Sequence, residues 1–396
     1  MAKVITTELQ HSGASGANIT LDSSKNVTVE NNLTVDGTTT LTGAVTLPAG
    51  TTSDTLSFRN LLINGAMQVN QRGTVANAGN EYGGPDRWKF IKNDGAMTIS
   101  QDTDVPTGQG FGNSYKIDCT SVAGTSGTYY VHTVQYIEGQ DLQRIKKGTA
   151  NAEQLTLSFW IKSTKTGTYV AELYDQDNNR HSSKAYTVST TNTWEKKTIT
   201  YAADTTGAFN NDNTTGLRVI LWFYAGSSFQ GGTLAGTWAS NTDANRAEGQ
   251  VNAFDNTANN VFVTGVQLEI GATATDFEHR SYGDELLRCQ RYYQRLGHQM
   301  LWAGRGNGSA SFVFGVPLPV ALRAASPTVT MSGTLKTFEH DASSESTNVP
   351  TAGYGYGNNA AAIALVQTGH SGLTDDRCIN GYIHGTESYL ALSSEL

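Results

Sequence analysis

Residues 155–162 read Leu-Thr-Leu-Ser-Phe-Trp-Ile-Lys, with Leu155, Leu157, Phe159 and Ile161 at every second position. In an extended chain this period sends the four apolar side chains to one face and Thr156, Ser158 and Trp160 to the other. A helix would scatter them around its axis, so the segment is a half-buried strand. Gly167 turns the chain into a second alternating run at 168–174, which makes a hairpin. The same pattern predicts strands at 115–119, 128–137, 194–201, 217–224 and 261–270, with one short helical turn at 139–147. Many strands joined by Gly-, Asn- and Thr-rich loops predict an all-β fold, with a β-sandwich of jelly-roll type over residues 58–280.

Composition agrees. The 396 residues include 42 Gly and are only 16% charged, which favours strands and turns over helix bundles. Lys and Arg number 27 against 35 Asp and Glu, a net charge of −8. No basic excess exists to hold a phosphate backbone, so nucleic acid is not expected as a partner. The longest apolar runs, 219–223 and 360–366, fall far short of the roughly 20 residues of a membrane span, so no membrane insertion is expected. The first residues, Met-Ala-Lys-Val-Ile-Thr-Thr-Glu, contain no apolar stretch of a secretory signal, which implies synthesis in a cytoplasm. Cys119, Cys289 and Cys378 are far apart and form neither a disulfide framework nor a CxxC metal pair.

Residues 1–57 differ. Apolar–Thr–apolar triplets recur at 19–21, 27–29 and 33–35, with related pieces at 41–42 and 45–47, each followed by Asp, Asn, Glu or Gly. One triplet buries too little to hold itself, so stacked copies must share a core. Several chains wrapped around a common axis meet that need, and we read the segment as a β-repeat shaft or arm of a homotrimer.

The ends of the middle segment carry a resemblance. Residues 60–74 (NLLINGAMQVNQRGT) with Asp86-Arg87-Trp88 open it, and residues 263–280 (VTGVQLEIGATATDFEHR) close it, running into 282–293 (YGDELLRCQRYY). These stretches resemble the tail-fibre proteins of bacteriophages, particularly those of marine cyanobacterial phages, whose jelly roll is similar to carbohydrate-binding modules. The resemblance implies a trimeric virion component, made in the host cytoplasm and carried as a tail appendage. It would dock to a tail adaptor or nozzle protein through residues 1–57 and bind a lipopolysaccharide-like host envelope glycan through its β-domains. The alternative is a purely structural appendage, a head fibre or a spacer, without receptor recognition.

Residues 281–396 begin with the one expected helix, 284–297. Leu286, Cys289, Tyr293 and Leu296 share a helical face, acids stand at its start, arginines lie towards its end and Gly297 is placed to cap it. That face makes Cys289 a packed thiol. Strands at 310–317, 328–331, 361–366, 381–384 and 389–396 then predict a smaller distal β-domain with tip loops at 353–357 and 370–376.

Catalytic motifs are weak. The glycines at 304, 306, 308 and at 353, 355, 357 lack the strand-then-helix context of a phosphate loop. Residues 175–179 (DQDNN) resemble a calcium loop only superficially, since Arg180 stands where Gly is needed, so a hairpin loop is expected. The Glu278-His279-Arg280 triplet has no nucleophile or metal partner beside it. No catalytic residue, metal or cofactor is assigned. Sugars are held by aromatic faces with polar side chains bonding the hydroxyls, so the candidate glycan contacts are rings in polar loops: Tyr224, Phe229 and Trp238 in the middle segment, and Tyr354, Tyr356 and Tyr382 distally.

Overall fold

The computed structural model describes residues 58–396 other than 123, 298–299, 325, 340–341, 353–361 and 376, and before them the strands at 8–9, 19–21 and 27–29. The chain forms two compact units, Met1–Thr51 and Thr52–Leu396. In the first, β1 (Glu8–Leu9), β2 (Ile19–Leu21) and β3 (Val27–Val29) pair antiparallel in that order, with Ile19 opposite Val29 and Leu21 opposite Val27. Two of the expected triplets are therefore strands of one small sheet. Those at 33–35, 41–42 and 45–47 lie outside the described residues.

The sandwich is built in chain order from β4 (Glu81–Tyr82), β5 (Lys89–Lys92), β6 (Ala96–Asp102), β7 (Ser114–Ser121), β8 (Tyr130–Glu138) and β9 (Leu155–Ser163). It continues with β10 (Gly167–Asp175), β11 (Arg180–Val188), β12 (Glu195–Tyr201), β13 (Thr215–Ala225), β14 (Ala239–Ser240) and β15 (Asn260–Ile270). Seven strands form one antiparallel sheet in the order β14-β11-β10-β13-β8-β5-β4, and five form the other, β12-β9-β15-β7-β6. Leu155, Leu157, Phe159 and Ile161 face Leu217, Val219, Leu221 and Phe223 across the main core, all of them buried. Removing one such ring, as in Phe159→Ala, costs about 3–5 kcal/mol. The 175–179 segment is the predicted hairpin loop, with Asp175 opposite Arg180. The expected helical turn is a 3-10 helix at Gly139–Ile145.

The two ends that carry the resemblance are stitched to each other. Asn60 Nδ2 donates to the Val266 carbonyl (3.0 Å), while its Oδ1 accepts from Leu62 N and Leu268 N. Glu278 accepts from the backbone N–H groups of Arg59 and Asn60, and Arg280 donates to the Asn60 and Leu62 carbonyls. Gly65 allows the approach, because a Cβ there would stand 2.1 Å from the Val266 oxygen. The Glu278-His279-Arg280 triplet thus includes two residues that tie down the opening segment.

The helix is shorter than expected. α1 spans Tyr282–Gln290, capped at its start by Ser281, whose side chain accepts from Asp284 N. It stops at Arg291, and Tyr293–Leu296 continues as strand β16. Tertiary partners override the local helical pattern there. The Tyr292 hydroxyl donates to Glu138 Oε1 (2.6 Å), the Arg87 guanidinium lies 3.4 Å from the Tyr292 ring centre, and residues 293–296 pair with 390–393. Gly297 is therefore not the helix cap, whereas Cys289 is buried on the helix as expected.

The remaining strands are β17 (Trp302–Gly306), β18 (Ser311–Pro317), β19 (Thr328–Glu339), β20 (Ala342–Ser346), β21 (Thr351–Ala352), β22 (Ala362–Thr368) and β23 (Cys378–Ser393). They form a sheet in the order β20-β19-β23-β17-β18-β22-β21, with β16 also on β23. The two separate strands expected near the end are one long strand, which pairs with β19 through a register shift between Ser332 and Thr334. A second core, including Trp302, Phe312, Phe314, Ile379 and Leu390, lies on this sheet. Glu395 joins the two parts, engaging Arg72 and the buried Arg87 of the sandwich.

Candidate ring-lined groove

The seven-stranded sheet has an inner face in the main core and an outer face with its own chemistry. Strand pairing fixes that face row by row. Tyr136, Arg218 and Tyr174 stand side by side on β8, β13 and β10. The next row is Lys89, Val134, Ile220 and Glu172, and the one after it runs Ile91, His132 and Trp222. Every second residue of these strands carries the outer face, and the residues between them, such as Val131, Thr133, Leu217 and Val219, turn inwards.

The loop after β13 folds back over one end of this face. Ala247 N donates to the Phe229 carbonyl, and Phe229 and Arg246 come down on the sheet. The result is a groove of about 360 Å³, within the size range of small-ligand sites. The Phe229 ring centre lies 5.6 Å from that of Tyr130, edge to face, and 5.5 Å from Trp222, which is 4.9 Å from His132. Trp222, Val134 and Ile220 form a closed floor, each 1% exposed, while Tyr130 and Phe229 are half-buried rings at the mouth.

Polar groups are held unequally. Arg246 donates to both Glu172 oxygens (2.8 and 3.1 Å), and Trp222 Nε1 adds a third bond at 2.9 Å. Burial would raise the Glu172 carboxyl, but Arg246 and His181 outweigh it and hold it down at about 2. His132 is pushed down to about 3 by burial, with Arg246 and Arg218 acting in the same direction. It is a neutral imidazole at pH 7, and its buried Nδ1 has no hydrogen-bond partner. Among the described residues no group of three or more His, Cys, Asp or Glu side chains could hold a metal ion.

The rings chosen from sequence fall in different places. Phe229 lines the groove. Tyr224 is buried at 7% exposure, packs into the main core and donates to the Gly124 carbonyl. A bulge between Trp222 and Tyr224 turns its side chain inwards, against the alternation that would have set it beside Trp222. Trp238 packs on the edge of the main core, with Nε1 donating to the Ala202 carbonyl. Tyr382 lies on the distal sheet, stacked on the half-exposed Phe338 with ring centres 5.5 Å apart and planes 13° apart. Tyr354 and Tyr356 lie outside the described residues. Sequence reasoning missed Tyr130, His132, Tyr136, Arg218 and Trp222. Their signal was the second face of the predicted strands, since 130–136 alternates Tyr-x-His-x-Val-x-Tyr and 218–222 alternates Arg-x-Ile-x-Trp.

Fold and site together define an all-β protein whose sandwich carries a ring-lined groove on one outer face. No family model matches the chain, and no curated protein matches it. Solved structures similar to it include the enzymatically active domain of tailspike protein 4 of bacteriophage CBA120, 15% identical with a TM-score of 0.32. That match covers 53% of this chain and 21% of the tailspike, so the chain spans about a fifth of that protein's length. A putative sugar-binding protein from Bacteroides thetaiotaomicron is 13% identical over 54% of this chain and all of its own, with a TM-score of 0.31. The family 11 carbohydrate-binding module of a Clostridium thermocellum cellulosomal cellulase is 15% identical over 53% of this chain and 99% of its own, with a TM-score of 0.26.

Proposed function

We propose that this chain is a non-catalytic glycan-binding fibre component of a phage particle, acting in adsorption through the groove on its seven-stranded sheet. The observation that carries the reading is the meeting of Tyr130, Trp222 and Phe229 with polar side chains of the sheet in one groove. Aromatic faces accept the apolar C–H patches of a sugar, and buried polar atoms such as His132 Nδ1 suit its hydroxyls. The motif resemblance at 60–74 and 263–293 supports the phage context.

In this reading the protein is a homotrimer on the virion, residues 1–57 dock it to a tail adaptor or nozzle protein, and the ligand is a lipopolysaccharide-like envelope glycan. Weak contacts from three chains then multiply into avidity. The non-catalytic part rests on the carboxylates at the groove. Glycoside cleavage needs one carboxyl as a general acid. Glu172 is held ionised by Arg246, and the exposed Asp243 lies 3.6 Å from the same arginine.

The test is binding of the full chain to host cells and extracted envelope glycans, with oligomer mass measured in parallel. Saturable binding that Tyr130→Ala or Phe229→Ala weakens about tenfold, by a chain of trimer mass, is the expected result. A verified trimer that binds neither cells nor glycans overturns recognition. The structural-appendage reading then replaces it, a reading favoured by one observation, the closed floor of the groove.

A further inference from the structure

Arg218 lines the groove without a carboxylate partner among the described residues. Arg218 stands in the row between Tyr136 and Tyr174, its guanidinium carbon 5.5 and 5.1 Å from their ring centres. Its Nε is buried without a hydrogen-bond partner, and no ion pair to Arg218 occurs among the described residues. The acids nearby are engaged elsewhere: Glu172 and Asp243 by Arg246, and Glu395 by Arg72 and Arg87. A second cation, Lys89, has its Nζ 5.7 Å from the Tyr136 ring centre.

A guanidinium without a carboxylate partner at a groove can receive an oxyanion, and its planar fork matches a carboxylate or sulfate through two parallel hydrogen bonds. His132 adds a second, independent indication. It is 8% exposed, lines the same groove and has an unpartnered ring nitrogen. A neutral sugar could hydrogen-bond both His132 and Arg218 but would leave the arginine without a counter-charge; an acidic sugar supplies one.

From this, resting on the glycan-binding reading above, we infer that the groove selects an acidic saccharide, with the oxyanion of a uronate or sulfated sugar held by Arg218 between Tyr136 and Tyr174. The ring of that sugar lies towards Trp222 and Phe229, and its hydroxyls meet His132.

The experiment is titration calorimetry on the full chain with paired probes: tetragalacturonate and tetramannuronate, each against its carboxyl-reduced counterpart, and a sulfated carrageenan tetrasaccharide. The expected result is about tenfold tighter binding of an acidic probe than of its reduced partner, an advantage that shrinks as salt is raised. Arg218→Gln removes the advantage while the reduced probe still binds and thermal unfolding stays unchanged, and Arg218→Lys restores part of it. A carboxylate preference without sulfate binding, or the reverse, tells which oxyanion is held. Equal binding of acidic and reduced probes, or a preference that survives Arg218→Gln, overturns the acidic inference and leaves glycan binding standing. Failure of every probe to bind also overturns the acidic inference, while the glycan-binding reading stands or falls on the host-cell and envelope-glycan test above.

Discussion

Glu172 and Arg246 meet in a two-bonded pair at 2.8 and 3.1 Å, with the carboxylate fully buried beneath the groove and Trp222 Nε1 donating to it from a third side. The pair joins the loop after β13 to β10, so it fixes the wall of the groove as well as the sheet. Removing one partner of such a pair leaves a charge without its counterion in a low dielectric. Glu172→Gln is therefore expected to lower stability by about 3 kcal/mol and to loosen Arg246. Urea unfolding followed by tryptophan fluorescence checks this, and a variant as stable as the native chain would remove the pair from the account of the site.

His132 makes stability depend on pH. Its imidazole is depressed in the folded chain from the usual 6.5 to about 3. The unfolded chain therefore binds the extra proton over that interval, and the stability present above pH 6.5 is lost progressively as pH falls towards 3. Comparing unfolding free energies at pH 7 and pH 4.5 for the native chain and for His132→Leu isolates this contribution. The variant should show the smaller drop. Parallel slopes would mean that His132 is protonated or exposed in the folded state.

The three thiols should react unequally. Cys378 is exposed, whereas Cys119 and Cys289 are buried, and burial pushes both buried thiols above their ordinary range. Since the thiolate is the reactive form, Ellman's reagent should titrate one thiol rapidly on the native protein and the other two only in denaturant. Rapid loss of all three, or of Cys289 in a Cys378→Ser variant, would contradict the packing of α1.

Asn60→Ala tests the closure of the sandwich. The side chain accepts from two backbone N–H groups and donates to one carbonyl, all within the buried junction of the opening and closing segments. Loss of these bonds leaves buried backbone groups without partners, at a cost of about 2–3 kcal/mol. A thermal unfolding midpoint that falls by several degrees, without a change in far-ultraviolet dichroism, is the expected outcome.

Much of the fold was legible because strands write themselves with a period of two. The alternation at 155–161, 217–224 and 261–270 gave the strands, and the inward residues named for the first, Leu155, Leu157, Phe159 and Ile161, are all in the core. Strands at 89–92, 96–102 and 180–188 were missed. Buried polar side chains such as His181, Ser182 and Ser183 blur the pattern in the last of them. The helix was overextended because Tyr293 and Leu296, three residues apart, fit a helical face, and a strand of only four residues carries too little alternation to oppose it. Only the partner strand at 390–393 decides between the two.

The site divides in the same way. Phe229 was recoverable as a ring in a polar loop, and Tyr224 was misplaced because a one-residue bulge reverses the side of the sheet it faces. The sequence by itself determined the all-β class and the longest strands of the sandwich, since these follow from local periodicity, while the segment that opens the sandwich was marked by resemblance rather than by period. Which rows of side chains lie together is a property of register between strands far apart in the chain. The tertiary structure alone therefore set Tyr136, Arg218 and Tyr174 in one line, drew Arg246 down from its loop onto Glu172, and left Arg218 without a counterion.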